Sequence, residues 1–150
     1  MGYVEKNLLA GESIVYRANV HWVVFAWPGL WLALAAALFT GPVQEARAAG
    51  LAALALAAFT GLGAYIRYAT SEFALTDKRV LVKVGFIRRT SFEVLLKKVE
   101  GIQVDQGILG RILGYGTIVV SGTGGTREPF HRIADPLAFR RRVQEEVDRI

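Results

Sequence analysis

The chain has 150 residues, 53% of them apolar, and its 18 Lys and Arg against 13 Asp and Glu leave a net charge of +5. With no Cys, disulfides, thiol catalysis and cysteine-ligated zinc are excluded, and two His (His21 and His131) argue against a multi-histidine metal site. Residues 1–66 balance Lys6, Arg17 and Arg47 against Glu5, Glu12 and Glu45, so the whole +5 belongs to residues 67–150. Such a partition points away from an ordinary water-soluble globule, a secreted disulfide scaffold and a disordered tail.

Residues 1–19 form an N-terminal segment, in which Ile14 and Tyr16 alternate with Val15 and Arg17 and predict a short extra strand over Ser13–Arg17. No residue from Ala18 to Gln44 carries a formal charge, and none from Ala48 to Ile66, runs of 27 and 19 residues. About 20 apolar helical residues cross a hydrocarbon core of about 30 Å. The pattern predicts spans at Val20–Phe39 and Ala48–Ile66, joined by a turn over Thr40–Arg47, hence a transmembrane helical hairpin over residues 20–66. Trp22, Tyr65 and Tyr68 suit the aromatic belt of a single interface. A cleaved signal peptide would place a short apolar core directly after a basic start, whereas Glu5 and Glu12 precede this one. A soluble Ala-rich hairpin would show a charged face, and neither run has one.

The turn between the spans carries only Arg47, while Lys6, Arg17, Arg67, Lys78, Arg79 and Lys83 flank their other ends, which predicts that both termini are cytoplasmic. Ala49, Ala53, Ala57 and Gly61 recur every four residues, the small-residue pattern that permits close helix packing. Aromatic packing is the expected role of Trp27 and Trp31, and an interfacial hydrogen bond that of His21. No ionisable side chain lies at mid-depth, which disfavours a transporter.

After Tyr68 the apolar period becomes two. Strands are predicted at Arg79–Val84, Thr90–Leu95, Val99–Val104, Thr117–Ser121 and Thr126–Ile133. A three-residue loop centred on Phe86 would pair Val82 with Thr90 and Val80 with Phe92, setting Arg79 opposite Glu93. Gln106–Gly116 reads as a turn-rich connection whose short helical turn places Ile108, Leu109, Ile112 and Leu113 in the core. A helix follows: Asp135 caps it, Pro136 fits its first turn, and Phe139, Val143, Val147 and Ile150 form its apolar stripe.

The run Phe73–Thr90 and the run Leu96–Gly116 resemble the bacterial pleckstrin-homology (PH)-like domain of small membrane proteins with two spans. Gly122–Thr126, Asp135–Phe139, Leu9-Ala-Gly-Glu12 and His21-Trp22 extend the likeness to nearly the whole chain. The resemblance implies an α+β membrane protein: a transmembrane hairpin and, over residues 67–150, a cytoplasmic PH-like antiparallel barrel or sandwich capped by a C-terminal helix; such a barrel has seven strands, one of which Ser13–Arg17 is expected to supply. With the two spans, the expected location is the bacterial inner membrane, as a multi-pass protein.

Catalytic chemistry is not visible. Gly107–Gly116 has neither a Gly-Lys-Ser/Thr ending nor Gly-x-Gly-x-x-Gly spacing, so turn geometry accounts for its glycines. Ser121 has no recognisable His and carboxylate partners. Asp77, Glu100 and Asp105 are scattered acids. No cofactor and no metal site are expected. The basic residues Arg79, Lys83, Arg88, Arg89, Lys97 and Lys98 are the candidate lipid- or anion-binding set, with solvated positive-inside charge as the plain alternative. The expected function is a non-enzymatic interaction and assembly module, with membrane lipids and a second copy or another membrane protein as partners. An anionic-lipid sensor and an accessory to export or antimicrobial-peptide resistance stand as alternatives. Nucleic acid is disfavoured by the modest charge and the want of stacking aromatics.

Overall fold

A computed structural model describes residues 2–86 and 88–150, which form two compact units: residues 2–21 with 70–150, and residues 22–69. The first is the β-unit. Its strands are β1 (Ile14–Ala18), β2 (Glu72–Thr76), β3 (Arg79–Val84), β4 (Thr90–Leu95), β5 (Val99–Asp105), β6 (Tyr115–Gly122) and β7 (Arg127–Ala134). They form two antiparallel sheets, ordered β1-β2-β3-β4 and β5-β6-β7, which do not close into a barrel. Helix α1 (Tyr3–Lys6) precedes them, α4 (Ile108–Leu113) joins β5 to β6, and α5 (Pro136–Arg149) ends the chain.

The N-terminal segment belongs to the β-unit, with β1 as an edge strand paired to β2. Strand β2 has no counterpart in the sequence reading because Phe73, Ala74, Leu75 and Thr76 are all buried, which erases the alternation of a strand with one wet face. Phe73 and Leu75 pair with Val82 and Val80. Their face looks inward, where the Phe130 ring of β7 meets Phe73 and Phe92 at centroid distances of 5.7 and 5.8 Å. On α5, Phe139 and Val143 are fully buried and Phe139 meets Tyr16 of β1 edge-on. Asp135 Oδ1 accepts the Ala138 N–H, as a helix cap does.

The β3–β4 register differs from the expected one by two residues: Val84 pairs with Thr90, Val82 with Phe92 and Val80 with Val94. The loop is longer, spans Gly85–Arg89, and includes Ile87, which lies outside the described residues. A shift of two preserves which side chains share a face, so the valines still point inward. Arg79 is opposite Leu95, and Glu93 reaches it diagonally.

The side chains of α4 are outside, not in the core: Ile108, Leu109, Ile112 and Leu113 are 81, 64, 73 and 39% exposed. The reason is Gly110, the one buried residue of the helix. A Cβ there would lie 2.5 Å from the Tyr115 carbonyl oxygen, so the helix backbone itself rests on the β6 strand. Ile108 and Ile112, two positions to either side at about 100° per residue, are thereby turned away. Gly114 ends the helix at φ +81°, a left-handed C-cap that suits glycine.

The second unit is a helical hairpin. A 3₁₀ turn (Trp22–Phe25) leads into α2 (Ala26–Thr40), and α3 (Ala46–Thr70) returns. Both Trp22–Thr40 and Ala46–Thr70 are long and apolar enough to cross a membrane. Val20, expected at the start of the first span, instead bridges to Ile133 in the β-unit. The buried residues of α3 are Gly50, Ala53, Ala57 and Ala64. Ala49 is exposed, and a Cβ on Gly50 would lie 3.3 Å from the Phe39 ring. Steps of four residues drift around a helix of 3.6 residues per turn, so mixed steps of three and four follow the contact face better. Gly61 lies against α2: a Cβ there would lie 3.6 Å from Pro28.

Candidate interaction site

Of the six basic residues, Arg79 is the one that enters ion pairs within the fold. It projects from the outer face of β3 into a pocket closed by residues 7–12. Its Nε and Nη2 donate to the two carboxylate oxygens of Glu12 at 2.9 and 3.0 Å. Nη1 donates to Glu93 at 2.6 Å and Nη2 also to the Asn7 carbonyl at 2.6 Å. The Glu12 side chain is fully buried, and it accepts from the Leu9 N–H and the Thr76 hydroxyl at 2.7 Å each. Burial works to raise the pKa of Glu12, but the hydrogen bonds from Arg79, Leu9 and Thr76 and the Arg79 charge outweigh it and hold it at about 2. The hydrogen bond to Glu12 in turn raises that of Arg79. This is a two-pronged, charge-assisted pair with its remaining acceptor capacity filled, and it fastens the N-terminal segment to the sheet.

The β2 and β3 part of the outer face is covered as well. Glu72 accepts the N–H groups of Tyr3 and Val4 at 3.0 and 3.1 Å, and Val4 packs on Ala74 and Leu81. Arg17 pairs with Glu5 at 2.7 Å. Lys83 Nζ stands 4.9 Å above the Tyr3 ring, a cation–π contact. The expected basic face of Arg79, Lys83 and Arg89 is therefore not assembled: α1 lies over it, and Arg79 and Lys83 are engaged beneath. Glu12, the residue that organises the cluster, was missed as a functional group, although it ends the Leu9-Ala-Gly-Glu12 motif.

Arg88, Arg89, Lys97 and Lys98 are exposed. They do not form one patch. Arg88 and Arg89 precede β4 and Lys97 and Lys98 follow it, so six strand residues, about 20 Å at 3.3 Å each, separate the pairs. Between them, β4 is the terminal strand of its sheet, and among the described residues no strand pairs with its outer edge. A cleft of about 320 Å³ lies beside it, lined by residues including Phe92, Val94, Lys98 and Thr126. The opposite corner is joined: Val20 bridges to Ile133, and the Ala134 N–H donates to the Asn19 carbonyl at 2.9 Å.

Two antiparallel sheets capped by a C-terminal helix, with β4 and β5 as terminal strands whose outer edges no described strand pairs with, and lacking any group of three His, Asp or Glu side chains suited to a metal among the described residues, have the architecture of a PH-like binding module. The family description for the bacterial PH domain matches residues 17–147, and the chain belongs to that family. The match runs through both apolar helices. No curated protein and no solved structure matches the chain.

Proposed function

We propose that this protein is a non-enzymatic interaction module anchored in the bacterial inner membrane. In this reading α2 and α3 cross the bilayer, both termini are cytoplasmic, and the β-unit docks an extended acidic segment of a membrane-protein partner or a second copy along β4. The observation that carries it is the outer edge of β4, unpaired among the described residues and bracketed by Arg88-Arg89 and Lys97-Lys98. An open edge offers main-chain hydrogen bonds to an added strand, and flanking cations select acidic sequence and deter indiscriminate pairing.

The membrane part is supported by large apolar side chains that point outward from the long helices: Trp27, Leu30, Leu51, Phe59 and Leu62 are all exposed. The hydroxyls of Thr40 and Thr60 donate back to the carbonyls of Ala36 and Leu56, satisfying themselves within their helices as an apolar solvent requires. The aromatic pair Phe25 and Tyr68, 5.5 Å apart, closes the end where the hairpin leaves and rejoins the β-unit sequence.

The test is photo-crosslinking from Ser91 on β4 in native membranes, with products identified by mass spectrometry. The proposal expects a protein adduct that disappears when Arg88, Arg89, Lys97 and Lys98 are changed to Glu. A lipid adduct alone would favour the second reading, an anionic-lipid sensor, which the same four exposed cations support at about 1 kcal/mol each near an anionic surface. No adduct of either kind would remove β4 as the site.

A further inference from the structure

The C-terminal end of α4, whose four aliphatic side chains are exposed, is tied to the stretch where the chain leaves the β-unit for the first apolar helix. Tyr115, two residues beyond the last residue of α4, packs its ring against His21, tilted by 34° at 5.3 Å. His21 is followed directly by Trp22, the first residue of the Trp22–Thr40 stretch. The His21 N–H donates to the Arg132 carbonyl at 2.7 Å, and the Asp135 N–H to the Gly114 carbonyl at 2.9 Å. One short stretch, residues 132–135, thus grips both residue 21 and the end of α4.

That grip is rigid. Arg132 and Asp135 are the described non-glycine residues with positive φ, at 58° and 48°. Such left-handed backbone costs on the order of 1 kcal/mol per residue and persists where surrounding contacts dictate it. Gln106 Nε2 adds a hydrogen bond to the Tyr115 carbonyl at 3.0 Å, fixing the start of the connection.

We propose that α4 is a membrane-surface anchor: Ile108, Leu109, Ile112 and Leu113 enter the apolar edge of the lipid bilayer beside the point where the first span begins. This rests on the reading of α2 and α3 as membrane spans and adds a second contact to it. The occupant is lipid because residues 132–135 hold both the end of α4 and residue 21, which directly precedes the first residue of that span in the sequence, and because the exposed crest of the helix is aliphatic. The crest faces away from Gly110 with Ile108 and Ile112 at its summit. Exposed Arg111 lies on the flank opposite Leu109 and Leu113, placed for a long side chain to carry its charge back toward headgroups. The glycines of residues 107–116 then have a purpose: Gly110 lets the helix backbone lie flat on β6, so that bulky side chains project only outward.

The chain has no native Cys, so single spin labels can be placed without background. The full-length protein in phosphatidylcholine nanodiscs is labelled at Ile112→Cys, and at Leu109→Cys as a second reporter. Phe59→Cys, outward on α3, and Thr123→Cys, in the exposed β6–β7 turn, are the references. Collisions with oxygen and with a water-soluble nickel chelate are then measured. The proposal expects labels at 112 and 109 to lose nickel collisions several-fold relative to 123 and to gain oxygen collisions as at 59. If 112 and 109 behave like 123 while 59 is lipid-like, the anchor is overturned and the spans stand. Labels at 112 and 109 shielded from both reagents would mean cover by protein and would also overturn it. A label at 59 open to nickel would overturn the spans and the anchor together.

Discussion

Glu12→Gln removes one charge from a buried ion pair while almost preserving its shape. In the native chain Glu12 receives two hydrogen bonds from Arg79 and one each from Leu9 and Thr76. Gln keeps one carbonyl oxygen but turns an NH₂ group toward donors, so Arg79 is left buried with Glu93 and the Asn7 carbonyl. Breaking a buried pair by removing one partner costs about 3–5 kcal/mol. The acceptors that remain on Arg79 reduce this to roughly 2–4 kcal/mol. Glu93→Gln removes a contact whose carboxylate side chain is 41% exposed, and such pairs are worth about 0–1 kcal/mol. Amide hydrogen exchange of the full-length protein in nanodiscs, read at Leu75 and Val80, measures the opening free energy of the sheet. At about 1.4 kcal/mol per tenfold, Glu12→Gln is expected to speed exchange on the order of a hundredfold and Glu93→Gln less than about fivefold. Equal effects from the two variants would refute the assignment of Glu12 as the anchor of the N-terminal segment.

Acid should dissolve the same clamp. The folded pKa of Glu12 is about 2 against an ordinary 4.5, so its contribution is complete above pH 4.5 and is lost as pH falls toward 2. The size is roughly 3 kcal/mol; denaturation followed across that window should show it, and Glu12→Gln should flatten the slope. Gly110→Ala drives a methyl group into the Tyr115 carbonyl and should cost about 1–3 kcal/mol in thermal unfolding. Gly114→Ala meets no neighbour and should cost only the left-handed backbone penalty of about 1–2 kcal/mol. In α3, Ala53→Leu should destabilise the hairpin by about 1–3 kcal/mol whereas Ala49→Leu should be tolerated, as measured by thermal unfolding in detergent.

Much of the β-unit is legible because its strands alternate. The inward face of β3, the capped α5 and the strand at residues 14–18 all follow from side-chain period and turn residues. Strand β2 escaped because both its faces are buried, leaving an apolar run without a period. The β3–β4 register escaped because shifts of two residues satisfy the same face pattern, and only loop length distinguishes them. The outward turn of α4 escaped because four aliphatic residues in a charged domain read as core unless the backbone approach at Gly110 is known. The fate of Arg79 is a long-range effect: Glu12 precedes it by 67 positions, with both helices of the hairpin between them. Local spacing marks Arg79 as one cation among six, and tertiary pairing separates it from Arg88, Arg89, Lys97 and Lys98.

Cysteine accessibility in intact spheroplasts tests most directly the proposal that the hairpin spans the membrane and leaves the PH domain in the cytoplasm. Gln44→Cys, in the turn between α2 and α3, should react with an impermeant maleimide without permeabilisation, and Thr123→Cys should react only after it. Labelling of Thr123→Cys in intact spheroplasts, or of Gln44→Cys only after permeabilisation, would contradict the account.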